Sequence, residues 1–500
     1  MKEQHPRLSH TLLPALLVLA LSACSSVPEH AEPSVPESWL YSAENQAADA
    51  EALSQWWQAF DDPALTDLVS RAMQQSYDAR LAMLRVNSAR AQLRQSRAGL
   101  FPALDLPGSA SRQWIENDQD VEPDSPLAEL GLDDDIRFDS WELALQASWE
   151  LDLFGATRAR TQGAGQMVRS AQAEAIAARL AVASNTAQGY IQLRALQQQY
   201  ALLEQGIEIA HELERVADLL FEAGEVTRLD VEAAGAERAA LEADLGELEI
   251  NLAEAHLGLD TLLAEPPGSS ARSIPANGDI PLVEQPIPAG QPLDLLRRRP
   301  DLIAGAAQLE GSRLQSLAAR RDLFPTLAVQ AAVGRSGMGI NGDFGSVSNF
   351  SRIGATFGLP ILDFGRRGAA IDLADLEGDS AYIGFQQALA EALIDVERGL
   401  ATTAGQERRH AALARSLAHY QRTYELANTS YRLGEANLNE VLDAQRGLLQ
   451  ARQVYLQGRT ALATAQVALY VALGGGWQAE PDPQGDVQSA VDQELEASQR

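Results

Sequence analysis

The chain lacks several features that mark common protein classes. Its 500 residues include one cysteine, Cys24, so an intrachain disulfide is impossible. Only 6% of the residues are aromatic although 46% are hydrophobic, and this Ala- and Leu-rich composition favours long helices over β-sandwiches. Basic residues are in deficit, and the resulting net charge of −30 argues against a nucleic-acid-binding protein, because phosphates demand a basic face.

Motifs of enzymes are missing too. The seven histidines show no spacing typical of metal ligands, and the sequence has no GxSxG motif, no P-loop and no Gly-rich nucleotide fingerprint. We therefore predict that the protein is not an enzyme and holds no metal or cofactor other than a covalent lipid. If it moves a substrate across a membrane, the energy must come from a partner.

The sequence also lacks long hydrophobic runs. No stretch approaches eighteen apolar residues, so the sequence predicts no transmembrane helix, and a membrane-spanning part would have to consist of β-strands. The apolar run Thr11–Ala20 follows Lys2 and Arg7 and has the layout of an export signal. It is too short to span a membrane as a helix.

The residues after this run resemble a bacterial lipobox. The sequence Leu21-Ser22-Ala23-Cys24 implies cleavage before Cys24 and lipidation of that residue, and an ordinary secretory signal with an incidental cysteine is the alternative. Ser25, by analogy with bacterial lipoproteins, favours the outer over the inner membrane. We therefore predict a lipoprotein signal peptide over residues 1–23 and a lipidated N-terminal tether over residues 24–61.

The most informative stretch is Trp141–Asp152, in which apolar and polar residues alternate strictly. Its apolar face carries Trp141, Leu143, Leu145, Ala147, Trp149 and Leu151. Soluble strands are usually about 5–6 residues long, whereas about 9–11 tilted residues cross an outer membrane. The pattern therefore predicts a membrane β-strand with its apolar face toward lipid, and an edge strand of a soluble sheet is the alternative.

The chain is predicted to be a two-fold internal repeat. Residues 140–155 match residues 350–365, and residues 221–225 match residues 431–435, both at an offset of 210 residues. The predicted segments are a first repeat over 62–264, a Pro/Gly-rich linker over 265–291, a second repeat over 292–477 and a disordered polar tail over 478–500.

Each half follows one plan: a helix, two strands and a long helical hairpin. The first helices are predicted over 62–98 and 292–321, the strands over 104–114, 141–152, 326–334 and 352–361, and a Gly/Asn/Ser-rich loop over Ser336–Asn349. Heptad spacing and the absence of proline predict a long helix from about Ala156 to Leu220, a counterpart in the second half, and return helices that end near Leu263 and Leu473. The long helix would measure roughly 100 Å at about 1.5 Å per residue.

Four strands per chain cannot close a barrel, and an open sheet edge in lipid would leave backbone amides without partners. Several copies must therefore combine. Two, three or four chains would give eight, twelve or sixteen strands, and cyclic symmetry is expected. The long helices must project away from the membrane into the periplasm.

Several short motifs occur in order along the chain. They are Leu21–Cys24, Trp56-Trp57, Arg298–Leu302, Phe324-Pro325, Leu442–Arg446 and Gly474–Trp477. Together they resemble the TolC-like outer membrane factors of the OprM/NodT type, the outer membrane lipoproteins of RND efflux pumps. The resemblance implies an α+β membrane protein in which three chains each give four long β-strands to a 12-stranded outer-membrane β-barrel. A long periplasmic α-helical barrel continues it.

The resemblance also implies a periplasmic gate. Asp443 of the Leu-Asp-Ala-Gln-Arg motif matches the gate aspartate of the family, and Glu440 matches a second acidic position on the same helical face. Asn439 stands where this branch tends to have a leucine constriction. In a trimer such carboxylates form rings that bind cations and repel anions, and an ordinary solvated helix face is the alternative.

Asp230 and Tyr431 occupy positions that resemble a hydrogen-bonded clamp between the hairpin tips. Ala436 replaces the arginine partner of the family, so any clamp must differ in detail, and Arg228 is a candidate substitute. The tips themselves, which in the family contact the periplasmic adaptor, contain Gly224, Glu225, Gly434 and Glu435.

The leading hypothesis is the outer-membrane exit duct of a tripartite efflux system. It would passively conduct small molecules from an inner-membrane RND-type transporter and a periplasmic adaptor to the outside. One alternative is the exit duct of a type I protein secretion system, which shares the fold. The other is a non-channel structural coiled-coil lipoprotein.

Overall fold

The computed structural model describes residues 34–41, 53–115, 136–340 and 343–478. The predicted signal peptide, Cys24 and the polar tail beyond Gln478 lie outside these residues. The described parts of the chain fall into two compact units. One comprises the described residues of 87–169 and 307–383, and the other comprises the described residues of 34–86, 170–306 and 384–478.

The first unit contains one antiparallel sheet. Its strands are β1, Ala103–Asp105; β2, Gly108–Ile115; β3, Ile136–Leu151; β4, Thr326–Ile340; and β5, Asp343–Gly358. β3 pairs with β1 and β2 on one side and with β4 on the other, and β4 pairs with β5. Among the described strands, β5 and the β1–β2 segment are therefore the two edges of the sheet.

The alternating pattern of Trp141–Asp152 is confirmed as part of strand β3. The prediction of a loop over Ser336–Asn349 is wrong, because β4 and β5 continue through most of it and Met338 pairs with Ser346. A small residue is required here, since a Cβ atom on Gly337 would lie 2.2 Å from Nε1 of Trp141. Glycine on β4 thus makes room for the tryptophan on β3, although its presence had favoured a loop.

Prolines end or divide the other predicted strands. The strand predicted over 104–114 is divided into β1 and β2 near Pro107, which has no N–H to donate to the sheet. The strand predicted to reach Ile361 ends at Gly358, before Pro360. Because β1 and β2 pair successively along β3, they share one strand position, and the sheet has four such positions.

The helices are α1, Pro63–Gln75; α2, Tyr77–Ala98; α3, Ala156–Glu222; α4, Arg228–Leu263; α5, Ser269–Ser273; α6, Leu295–Arg298; α7, Pro300–Arg321; α8, Arg366–Arg432; and α9, Leu438–Ala472. Two short 3₁₀ turns lie at Trp56–Phe60 and Pro292–Asp294. The long helices are confirmed, since α3 and α8 each have 67 residues. None of the described helices has an apolar stretch long enough to cross a membrane.

Two predicted helices are interrupted. The helix predicted over residues 62–98 is divided into α1 and α2 at Ser76, whose hydroxyl accepts from the N–H of Ala79 and caps the second helix. The helix predicted over 292–321 breaks at Arg299, because the following Pro300 disfavours helical backbone at the preceding residue. Both predictions of a continuous helix are therefore wrong.

The main hydrophobic core lies in the second unit around Trp56, which is 1% exposed. Its indole stacks on Tyr470 with ring centroids 5.7 Å apart. Gly476 has a φ of +103°, and a Cβ atom there would lie 3.2 Å from Nε1 of Trp56. The Trp-Trp and Gly-Gly-Gly-Trp motifs are thus parts of one packed core.

The end of the predicted tether is bound to the second unit. Trp39 is 5% exposed, and its Nε1 donates to the carbonyl oxygen of Gly290 at 2.9 Å. The carboxylate of Glu397 accepts from the N–H groups of Leu40 and Tyr41, at 2.7 and 3.1 Å. One buried indole and one carboxylate therefore fix this segment.

Trp39→Ala is expected to release the tether, because truncating a buried tryptophan costs about 3–5 kcal/mol. Limited proteolysis of the purified protein should then cut this region several-fold faster than in the wild type. Tyr41→Ala is the matched control, since Tyr41 is 58% exposed and its backbone makes the contact with Glu397. Equal cleavage of wild type and Trp39→Ala would show that the indole does not hold the segment.

Candidate gate at the hairpin tips

The two long helical hairpins turn at equivalent residues. α3 ends before Gly224, which has a φ of +74°, and α8 ends before Gly434, which has a φ of +77°. The N–H of Glu225 donates to the carbonyl of Leu220 at 2.9 Å, and Glu435 makes the equivalent bond. Such left-handed glycine caps satisfy the last carbonyls of a helix, and a Cβ atom would strain them. The residues predicted to contact an adaptor thus form the turns themselves.

A carboxylate lies in the first turn of each return helix. Asp230 accepts from the N–H and the hydroxyl of Thr227, at 2.8 and 2.7 Å. In the second hairpin, Asn437 accepts from the N–H of Glu440 at 3.0 Å and donates to its carboxylate at 2.9 Å. The helix dipole favours negative charge at this position. Asp230 and Glu440 therefore stabilise the starts of α4 and α9.

Asn439, in the second hairpin, lies near the carboxylate of Asp230 in the first hairpin. The hydroxyl and backbone N–H of Thr227, followed by Asn439, hold the pKa of Asp230 below its usual value of 3.8. The structure thus places Asp230, a residue predicted for the clamp, near Asn439, a residue predicted for the gate.

Tyr431, the other residue predicted for the clamp, lies in apolar packing between the hairpins. It is half-buried. The residues that it packs against form a cluster of Ala217, Val231, Ala234 and Leu442. Arg228, the candidate cationic substitute, pairs with Glu232 of its own helix at 2.9 Å.

Arg446 makes a second connection between the hairpins. The side chain of Asp443 is 77% exposed, and its Oδ1 lies 3.4 Å from Nη1 of Arg446. Nε of Arg446 lies 3.2 Å from Oε2 of Glu237 on α4. The last residue of the Leu-Asp-Ala-Gln-Arg motif therefore joins the predicted gate aspartate to the first hairpin.

The sequence had not identified Glu237 or Arg446 as members of this site. The spacing of Asp443 and Arg446, three residues apart on a helix, is a signal that predicts an ion pair. Glu237 gives no such signal, since it is separated from Arg446 by 209 residues.

Acid should loosen the first tip at Asp230. Because its folded pKa is lowered, the two hydrogen bonds from Thr227 stabilise the tip while the carboxylate is charged. That contribution is present above the usual value of 3.8 and is lost as the pH falls below it. The protection factor of the Thr227 amide in hydrogen exchange should therefore fall in that pH range. In Asp230→Asn, the Thr227 amide should be less protected at neutral pH and should lose little further protection in acid. A pH profile of protection equal to that of the wild type would contradict this assignment.

Known proteins share both the sequence and the fold of this chain. A model of the outer membrane efflux protein family matches residues 68–265 and 292–475. The chain belongs to this family of outer membrane efflux proteins. Like its relatives it is an outer-membrane protein and forms an exit duct for efflux, which confirms the predicted location and function.

Relatives of this efflux protein match it over nearly its whole length. The pyoverdine export outer membrane protein OpmQ of Pseudomonas aeruginosa is 30% identical, with 92% of this chain and 96% of that protein covered. The cation efflux system protein CusC of Escherichia coli is 28% identical, with 93% and 99% covered. The solved structure of the outer-membrane channel OprN has a TM-score of 0.79 and 26% identity, covering 91% of this chain and 100% of that one. The predicted TolC-like fold is therefore confirmed.

Proposed function

We propose that three copies of this efflux protein form a 12-stranded outer-membrane β-barrel, continued by a periplasmic α-helical barrel. The observation that carries this proposal is the open sheet. Among the described strands, β5 and the β1–β2 segment have partners on one side only, whereas lipid tolerates no open edge. Pairing β5 of one copy with β1–β2 of the next would close the sheet, with four strand positions from each chain.

One face of the sheet is suited to lipid. Leu143, Leu145 and Trp149 on β3 are 49%, 42% and 38% exposed. Ile353 and Phe357 on β5 share that face through their pairing with β4 and are 84% and 66% exposed. A band of exposed apolar side chains is typical of the outward face of an outer-membrane barrel. The even positions of β3, among them Glu142 and Glu150, would then line the lumen.

An internal duplication accounts for the two halves of the chain. The repeats would span residues 62–264 and 292–477, with the linker 265–291 between them. Three observations support this division: α3 and α8 have equal lengths, the glycine caps have equivalent hydrogen bonds, and the family match is interrupted between residues 265 and 292.

The hairpin tips would form the periplasmic gate. In a trimer, Asp443 and Glu440 give two rings of three carboxylates, which attract cations and repel anions. The pair of Glu237 with Arg446 joins the two hairpins of each chain, and Asn439 lies near Asp230 across the same boundary. Opening the gate would require these contacts to break or to shift.

The partners follow from the position of the tips and from the sequence. The turns at Gly224-Glu225 and Gly434-Glu435 would receive a periplasmic adaptor, and an inner-membrane RND-type transporter would supply the energy. Cleavage after residue 23 and lipidation of Cys24 would anchor the tether. Small molecules are the proposed cargo, and their selection would lie with the transporter, since this duct needs few specific contacts.

Planar bilayer recordings test this function. The purified full-length protein should give small, mostly closed events that favour cations, because acidic rings line the narrow end. A heat-denatured sample is the control. Folded protein that inserts but never conducts would contradict the proposal.

A further inference from the structure

A cluster of two arginines and one aspartate lies on the apolar face of the sheet. Arg112 on β2 is directly opposite Asp139 on β3, and Arg137 precedes Asp139 by two residues on the same face. Trp141, at the end of the apolar band, follows on that face. The cluster therefore continues the surface that the proposed barrel turns toward lipid.

The height of the cluster places it at the membrane surface. Leu151 and Trp141 are separated by ten residues, which at about 3.3 Å per residue and a tilt of roughly 40° give a band about 25 Å tall. That is the height of the apolar band of an outer-membrane barrel. Leu151 is at the end that leads into α3, so Asp139 and Arg137 lie beyond the opposite, outer end of the band.

The geometry of the cluster holds the guanidinium groups in place. Asp139 is 4% exposed, and its Oδ1 accepts from Nε of Arg112 at 2.5 Å. Nε of Arg137 lies 3.4 Å from the other carboxylate oxygen. The arginine side chains are still 52% and 36% exposed. Both guanidinium groups therefore lie at the surface of a chain whose total charge is −30.

The chemistry of this surface fits a phosphorylated sugar. Guanidinium groups bind phosphate oxygens through paired N–H donors, and a carboxylate that fixes their orientation lowers the entropy lost on binding. Trp114, opposite Arg137 on β2, is 66% exposed and offers an aromatic surface to a sugar ring. Lipid headgroups at this height present such groups to the side of a barrel.

We propose that Arg112, Arg137 and Asp139 bind the phosphate of a phosphorylated glycolipid headgroup in the outer leaflet. The proposal rests on the barrel described under the proposed function. It makes the outer rim of the duct a specific lipid contact, with Asp139 as the positioning residue and the two arginines as the phosphate ligands.

Native mass spectrometry of the purified detergent-solubilised protein tests this site. The probes are diphosphoryl lipid A, the same lipid without phosphates, and phosphatidylglycerol. Arg112→Ala/Arg137→Ala should weaken binding of the diphosphoryl lipid about tenfold or more, since each arginine gives a charge-assisted hydrogen bond. Arg352→Ala is the matched control, because Arg352 lies on the opposite face of the same sheet and pairs with Glu142 at 3.2 Å.

Three results would overturn the proposal: equal binding of the phosphate-free lipid, equal affinity of the double variant, or an equal loss in Arg352→Ala. Tight binding of phosphatidylglycerol alone would assign the site to a phospholipid instead and also reject it. Bilayer conductance of each variant shows whether it folds. Conducting protein without lipid selectivity refutes this site alone, whereas folded wild-type protein that inserts but never conducts refutes the proposed duct.

Discussion

Replacing Arg194 on α3 with alanine should release the linker, residues 265–291, from the second unit. Arg194 is 4% exposed, and its guanidinium donates to the carbonyls of Pro275 and Asn277, at 2.7 and 3.4 Å. Its Nε donates to the hydroxyl of Tyr190 at 2.8 Å, and that hydroxyl donates to Asp62 at 2.8 Å. Burial, followed by Asp62, raises the pKa of Tyr190 to about 12, so the phenol stays neutral.

The expected effect of Arg194→Ala is large because a buried charged donor is lost together with its hydrogen bonds to the linker. Hydrogen bonds to a charged group contribute about 1.5–3 kcal/mol, which corresponds to roughly 10- to 150-fold in the opening equilibrium. Hydrogen exchange of the linker amides around Ile280 should accelerate by that factor. Arg194→Lys should give an intermediate result, since lysine keeps the charge and loses the planar fork.

Arg215→Ala is the matched control on the same helix. Arg215 is 54% exposed on its side chain and pairs with Glu212 three residues away. Exposed pairs of this kind contribute little to stability, so linker exchange should remain unchanged. Equal exchange in wild type and Arg194→Ala would show that the buried arginine does not hold the linker.

The double variant Asp443→Ala/Glu440→Ala should open the gate and weaken its preference for cations. It removes both proposed acidic rings and the ion pair by which Asp443 is joined, through Arg446, to Glu237 of the first hairpin. An exposed contact of this kind contributes about 0.2–1 kcal/mol, so its loss in three copies acting together should raise the open probability roughly 3- to 150-fold. Planar bilayer recordings at neutral pH measure both the open probability and the cation preference.

Glu310→Ala is the matched control for the gate variant. Glu310 pairs with Arg313 three residues away on α7, outside the hairpin tips. Its loss removes an exposed ion pair of the same i,i+3 spacing and should leave gating unchanged. An Asp443→Ala/Glu440→Ala protein with wild-type events, or an equal change in Glu310→Ala, would reject these carboxylates as the gate.

The sequence predicted those elements that local periodicity determines. Alternation in Trp141–Asp152 predicts β3, and heptads without proline predict helices of the length of α3 and α8. The prediction failed where the local structure depends on a residue far away in the sequence. The glycine at position 337 indicates a loop on its own, yet it belongs to a strand because the indole of Trp141 occupies the space of a Cβ atom.

The candidate gate, too, was only partly predictable from the sequence. Gly224 and Gly434 are predictable as helix ends, since glycine alone tolerates the left-handed backbone of the cap. The proximity of Asn439 to Asp230 and the pair of Arg446 with Glu237 were not predictable, because each joins helices from different halves of the chain. The family resemblance predicted Asp443 and Glu440 as gate residues, and the structure adds Arg446 and Glu237, which connect Asp443 to the first hairpin.

The number of chains in the native particle tests the central claim most directly. The sheet formed by the described residues has four strand positions and two open edges, and such a sheet cannot enclose a channel alone. We therefore expect the channel to be shared among copies. Native mass spectrometry of the full-length protein, extracted from membranes in mild detergent, should show one species containing three chains. A monomer, or a closed particle of two or four chains that still conducts, would contradict this account.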